Sequence, residues 1–204
     1  MKYKRCLPVF LALLSIPFWW FSAWVYPGGT SWDVTSPGFS LMNNYVSSLF
    51  QPLALNGMDN TARPFAFLAM LLYSVGMGTM FWVLSVSYPK SVASSTVKIF
   101  GVGAMVYALI AVTTPMHDLL ALISAAFLTL GMAGLIVLLY RDNRRVLTGV
   151  GVLCLLLLAL LALVTKTAIL VRSGPILEWL LFGVGAAWIS FSYWGVTAPS
   201  QSSR

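Results

Sequence analysis

Charged residues are scarce in this sequence, and their scarcity excludes a soluble globular protein. Only 8% of the 204 residues are charged, 59% are apolar, and the mean hydropathy is +0.88. Ordinary soluble domains carry about 25% charged residues. The chain also shows no linker and no internal repeat, which favours a single domain over residues 1–204. We therefore predict an all-α, polytopic membrane protein.

The residue types that hold metals and cofactors are equally rare. Cys6 lies before the first apolar run and Cys154 lies within the fifth, so we expect neither a disulfide nor a metal site from them. A single histidine leaves a zinc site short of ligands. The sequence also contains no HExxH, GxSxG or GxxxxGK[ST] motif. We expect no metal and no cofactor, and a carboxylate-based acid/base site is the catalytic chemistry that is left open.

The sequence has a positive formal charge of +7, which in a soluble protein would suggest nucleic acid as a partner. Here the basic residues flank the apolar runs, so orientation in a membrane explains them better, and we expect no nucleic-acid partner. The termini and even-numbered connections hold Lys2, Lys4, Arg5, Lys90, Lys98, Arg141, Arg144, Arg145 and Arg204, whereas the odd-numbered connections hold only Arg63, Lys166 and Arg172. The positive-inside rule therefore predicts an inner-membrane protein with both termini in the cytoplasm.

Six apolar runs are long enough to cross the hydrocarbon core, which takes about 20 residues. They predict transmembrane helices at residues 7–26, 65–88, 99–114, 116–140, 146–165 and 176–194, with an outer loop at 27–64. The first run resembles a signal peptide, but it lacks a small-x-small cleavage signature, so we expect a retained helix. We also expect small residues at the helix contacts, namely Ser74, Gly78, Gly101, Gly131, Gly134, Gly149, Gly183 and Ala187.

The outer loop is the only long polar insert in the chain. From Phe39 to Phe50 apolar residues recur at three-to-four spacing, which predicts an amphipathic helix of about three turns that ends before Pro52. This segment lacks the Lys and Arg of a surface-binding membrane helix. We interpret it as a lid over the outer end of the bundle, with Asn43 and Asn44 turned inward or to water. A helix that rests at the lipid interface is the alternative.

Four of the five acidic residues and the only histidine fall on the predicted outer side. Clustered ionisable groups in a cleft often mark a functional site. The candidate catalytic residues are His117, Asp118, Asp33 and Glu178, and the candidate substrate-binding residues are Arg63, Arg172, Asn43, Asn44 and Asp59. The alternative is that these charges lie at helix ends because they cost least there, with Asp118 serving only as a cap.

Two classes of function stay open on this pattern. In the first, the protein is a lipid- or isoprenoid-handling enzyme or binder, in which Arg63 or Arg172 holds the head group of a membrane lipid and His117 moves a proton with Asp118 or Asp33. In the second, it is a non-enzymatic component that assembles with other membrane proteins or regulates them. Transport of a small solute is a weaker hypothesis than these two, because no buried charge or broken helix in the sequence marks a site at the bilayer midplane.

The outer loop also carries a family resemblance. The stretches YPGG at 26–29, NYVSSL at 44–49, and NG at 56–57 with Asn60, followed by His117 at the start of a later helix, resemble the bacterial and archaeal multi-pass proteins grouped as domain of unknown function 998. The resemblance implies six helices and an outer first loop, and it supplies no reaction. The family has Asp and Gly where this chain has Ser48 and Phe50, and Ser48 cannot replace an Asp as a base. DRAM-type and GPI-remodelling membrane proteins are more distantly similar.

Overall fold

The computed structural model describes residues 2–167 and 170–198 and is all-helical over that range. Six long helices follow one another as α1 (Lys2–Trp24), α2 (Arg63–Val86), α3 (Val92–Thr113), α4 (His117–Arg141), α5 (Arg145–Lys166) and α6 (Gly174–Thr197). Each contains a stretch long and apolar enough to cross a membrane. The predicted six-helix, multi-pass fold is therefore confirmed. We call the side that carries residues 25–62 the loop side and the opposite side the terminal side.

The third helix begins earlier than the predicted residue 99. Ser91 caps it at Val92, because its hydroxyl accepts the Ser94 N–H at 3.2 Å while the Ser94 hydroxyl accepts the Ser91 N–H at 2.8 Å. This reciprocal capping box starts a helix in a serine-rich stretch that has little hydropathy signal. Within α3, the turn Val97–Gly101 is π-helical.

Close helix contacts depend on glycines that the sequence analysis only partly identified. Gly131 was predicted correctly, since a Cβ there would lie 2.7 Å from the Gly101 nitrogen. Gly76 was not singled out, although a Cβ there would lie 2.7 Å from the Pro8 carbonyl oxygen of α1. Gly149 and Gly183 were predicted wrongly as contact residues, because a Cβ at either would meet nothing within 4 Å.

The buried side chains form two clusters, one toward each side of the bundle. The terminal-side cluster surrounds Phe81, Met132 and Trp188, and the Trp188 indole donates to the Leu147 carbonyl at 2.7 Å. The loop-side cluster surrounds Trp19 and includes Phe50, which comes from the long connection between α1 and α2. The loop therefore takes part in the core of the bundle.

Candidate functional site

The loop does not contain the predicted three-turn amphipathic helix. It consists of turns, two isolated antiparallel bridges at Gly28–Pro37 and Leu53–Asp59, and a single 3-10 helix, Val46–Phe50. The Asn44 carboxamide oxygen accepts the Ser40 N–H at 2.9 Å. Such local side-chain bonds compete with the backbone ladder of a helix, which explains why the apolar spacing did not produce one.

Two buried asparagines hold the loop in shape. Asn44 is fully buried, and its amide nitrogen donates to the Gly29 carbonyl at 2.8 Å. Asn60 donates to the carbonyls of Ser48, Leu49 and Gln51 at 3.2, 3.2 and 2.8 Å. Asn60 was absent from the predicted site residues, and the NG-x-x-N stretch was the only signal for it. Asn43, by contrast, is exposed and donates to the Ser40 hydroxyl at 3.1 Å.

The 3-10 helix fills the loop side of the bundle. Its side chains Val46, Leu49 and Phe50 are buried in the loop-side cluster. The ring of Trp19 lies 5.7 Å from that of Phe50 and 6.1 Å from that of Trp179, both edge-to-face. The loop is therefore a plug packed into the bundle, and it does not lie over an open cleft.

Glu178 binds this plug from the first turns of α6. Its carboxylate oxygen Oε2 accepts the Val46 N–H, the first of the 3-10 helix, at 2.6 Å. The neighbouring Trp179 indole donates to the Asn44 carbonyl at 3.3 Å. Burial raises the pKa of the Tyr45 phenol, and the nearby charge of Glu178 raises it further. A carboxylate at the start of a short helix stabilises its free N–H groups, so Glu178 has a clear structural role here.

The loop-side residues Asp33, Arg172 and Asp59 are all exposed. Asp33 accepts the Thr35 hydroxyl at 2.7 Å and the Thr35 N–H at 2.8 Å, and these bonds lower the pKa of its carboxyl. The Arg172 guanidinium lies 5.8 Å from the centre of the Trp32 ring, which is a cation–π contact. Asp59 contributes its backbone to the bridge with Leu53.

His117 and Asp118 pair with each other at the start of α4. His117 Nδ1 lies 3.1 Å from Asp118 Oδ1, and the Asp118 side chain is fully exposed. Over the described residues, the other close contact between a basic and an acidic side chain is Arg144–Asp142. No ion pair or hydrogen bond in that part of the chain joins His117 or Asp118 to the other candidate residues, so the structure does not assemble the predicted acid/base group into one constellation.

Arg63 is a partly buried cation that has no carboxylate partner among the described residues. It begins α2, its guanidinium lies 5.2 Å from the centre of the Phe67 ring, and its Nε is shielded from solvent with no hydrogen-bond partner in the described chain. The same is true of the Thr114 hydroxyl, which follows the end of α3. Because α2 and α3 pack antiparallel, both groups lie at the loop side of the same helix pair.

A groove of about 710 Å³ runs between α2 and α3. It begins at Ser74, near the middle of α2, and at Ile110, near the loop-side end of α3, and it extends to Trp82 and Lys98 toward the terminal side. A smaller cavity of about 550 Å³ lies on the loop, where Ser48 forms part of its wall. Neither cavity is lined by His117 or Asp118. No group of three or more His, Cys, Asp or Glu side chains in the described residues could hold a metal ion.

Comparison with known proteins adds no family assignment. No protein-family profile matches the chain, and searches of curated proteins and of solved structures return no match either. The resemblance to domain of unknown function 998 and to DRAM-type proteins stays a prediction.

Proposed function

We propose that this multi-pass membrane protein binds an anionic lipid or isoprenoid head group on its loop side, through Arg63. The observation that carries the proposal is that Arg63 is a partly buried cation without a carboxylate partner in the described chain. A shielded charge is costly unless it is paired. An anionic group supplied by the membrane would provide the missing partner.

The surroundings of Arg63 favour an anion. Arg63 is the first residue of α2, where the helix dipole favours negative charge. The Thr114 hydroxyl, without a partner of its own, lies at the same side of the α2–α3 pair. A guanidinium and a hydroxyl are both donors to phosphate or carboxylate oxygens. Arg172 is a weaker choice, because its guanidinium is exposed and an ion pair in water contributes little.

We propose that the protein binds the lipid, and catalysis on the bound lipid has less support. Glu178 already accepts the Val46 N–H, and among the described residues the fully exposed Asp118 has only His117 as a partner. An enzyme would need the lipid to reach this His117–Asp118 pair. Loss of turnover in a folded His117→Ala variant would support an enzyme, and lipid binding that survives this change would support a binder.

The experiment compares two arginines on the same side of the bundle. Arg63→Gln and the matched control Arg172→Gln are placed in nanodiscs that contain phosphatidylcholine with a minor fraction of phosphatidylglycerol, and the lipids retained on extraction are measured by native mass spectrometry. We expect Arg63→Gln to lose retained anionic lipid about tenfold, as for one charge-assisted hydrogen bond, and Arg172→Gln to keep it. Equal losses in both variants would mean that the arginines attract anionic lipid without a site.

A second candidate is assembly with other membrane proteins. Gly183 and Ala187 lie one helical turn apart on α6, both are exposed, and a Cβ at Gly183 would meet nothing within 4 Å. Small residues at this spacing let another membrane helix approach closely. Loss of a stoichiometric partner in a Gly183→Leu variant, with lipid retention unchanged, would favour this function.

A further inference from the structure

We infer that the groove between α2 and α3 is a second lipid site, which holds an anionic glycerophospholipid of the terminal-side leaflet with its phosphate at Lys98. This site is separate from the proposed Arg63 site, because Arg63 and Lys98 belong to opposite sides of the bundle. The groove holds about 710 Å³, which is enough for an acyl chain.

Along α2, the length of the groove is close to the thickness of one leaflet. Along α2 it extends from Ser74 to Trp82, and along α3 from Lys98 to Ile110. At 1.5 Å per residue these stretches measure about 12 and 18 Å. Half of the hydrocarbon core is about 15 Å thick. A lipid with its phosphate at Lys98 would therefore end its chain near Ser74, in the middle of the bilayer.

The terminal-side end of the groove has the residues that select a head group. Lys98 is exposed and lines the groove, and Trp82 beside it is also exposed. Tryptophan prefers the level of the head groups, and a juxtamembrane lysine attracts anionic lipid. No carboxylate in the described chain forms an ion pair with Lys98, so its charge is free for a phosphate.

The backbone of α3 supports a dedicated site. Lys98 lies in the π-helical turn Val97–Gly101, and such turns are often found at functional sites. A Cβ added at Gly103, which lines the groove, would approach the Phe127 ring of α4 to 2.6 Å, so α3 also packs closely against α4 at the level of the groove. Within the described residues, the walls of the groove come from α2 and α3.

The alternative polar group in the groove is Ser74, at its deep end. The Ser74 hydroxyl is buried and has no partner in the described residues, whereas Thr79 and Ser85 of the same helix bond to backbone carbonyls. A neutral lipid with a polar ring would use Ser74 and would ignore Lys98. The two ends of the groove therefore distinguish two ligand classes.

The test uses a phosphatidylglycerol probe with a photoactivatable group in its acyl chain, diluted into phosphatidylcholine nanodiscs that hold the full chain. Cross-linked peptides are mapped by mass spectrometry for wild type, Lys98→Gln, Lys90→Gln, Ser74→Ala and Thr79→Trp. Lys90 is the matched control, because it is an exposed lysine of the same side that does not line the groove. Melting temperatures verify that each variant is folded.

We expect wild-type cross-links to concentrate on the groove residues of α2 and α3. Lys98→Gln should lower them about fivefold, which is the effect of one lysine near an anionic surface. Thr79→Trp should lower them by filling the groove, while Lys90→Gln and Ser74→Ala should leave them unchanged. Cross-links spread evenly over all lipid-facing helices, an equal loss in Lys90→Gln, or a loss in Ser74→Ala alone would overturn the inference. None of these results depends on Arg63.

Discussion

Asn60 makes more hydrogen bonds within the loop than Asn44, since its amide NH2 group is shared among three carbonyl oxygens and its side-chain oxygen accepts the Ala62 N–H at 3.1 Å. Replacement by alanine would leave these buried groups unsatisfied, at about 1–3 kcal/mol each when water cannot reach them. We expect Asn60→Ala to lower the melting temperature in detergent markedly, and to expose the loop to protease.

The matched control for this change is Asn43→Ala. Asn43 is exposed and has one bond, to the Ser40 hydroxyl, so its removal should change the melting temperature little. Equal effects of the two substitutions would mean that Asn60 does not organise the loop.

Asp33 gives the loop a dependence on pH. Its bonds with Thr35 hold the pKa of the carboxyl below the ordinary value of 3.8. A lowered pKa means that the ionised form stabilises the turn above the ordinary pKa, and that this stabilisation is lost as the pH falls through the lowered value. Carboxyl NMR should give an Asp33 midpoint below 3.8, and Thr35→Val, which removes the 2.7 Å hydroxyl bond, should raise it. A midpoint that Thr35→Val leaves unchanged would contradict this account.

At the scale of residues, the position of each polar side chain along the chain could be predicted from hydropathy, but its hydrogen-bond partner could not. The charged and polar residues of the loop side could be identified from the sequence, but their partners could not. Nothing in the sequence indicated that Glu178 accepts the Val46 N–H, because the two residues are 132 positions apart. The lack of a partner at Arg63 likewise depends on how the helices pack.

At the scale of elements, α1 and α2 form one of the two most extensive contacts in the bundle, and Gly76 permits it. A Cβ at this position would lie 2.7 Å from the Pro8 carbonyl oxygen and 2.8 Å from the Ala12 nitrogen. Both atoms belong to backbone, so they cannot move aside alone. We expect Gly76→Ala to cost about 1–3 kcal/mol of stability, as other overpacked substitutions do, measured by thermal unfolding in detergent.

Gly183→Ala is the control for this prediction, since nothing lies within 4 Å of the added methyl group. The same change should be neutral there or slightly stabilising, because alanine favours the helix over glycine. A neutral Gly76→Ala would mean that α1 and α2 do not pack as described.

The helices were predictable and their irregular parts were not. Long apolar runs identified all six spans, but the start of α3 was missed because its serine capping box has no hydropathy signal. The apolar spacing at 39–50 predicted a helix where the chain forms turns and one 3-10 helix. There, side chains at three-to-four spacing pack into the loop-side cluster without an α-helix.

For the whole molecule, the orientation in the membrane is proposed from the positive-inside rule. Met58 is an exposed residue of the loop and Asn143 an exposed residue of the α4–α5 connection. In a variant without native cysteines, we expect a membrane-impermeant maleimide to label Met58→Cys in intact cells and to label Asn143→Cys only after lysis. The reverse pattern would place the loop, and with it Arg63, in the cytoplasm.

The most direct test of the proposed function is an experimental structure of the wild-type protein in nanodiscs formed from its own membrane. The account predicts density for a lipid head group at the loop side of α2 and α3, with an anionic oxygen within hydrogen-bonding distance of the Arg63 guanidinium. An Arg63 side chain that pairs with a carboxylate of the protein, or that extends into water with no head group beside it, would contradict the account.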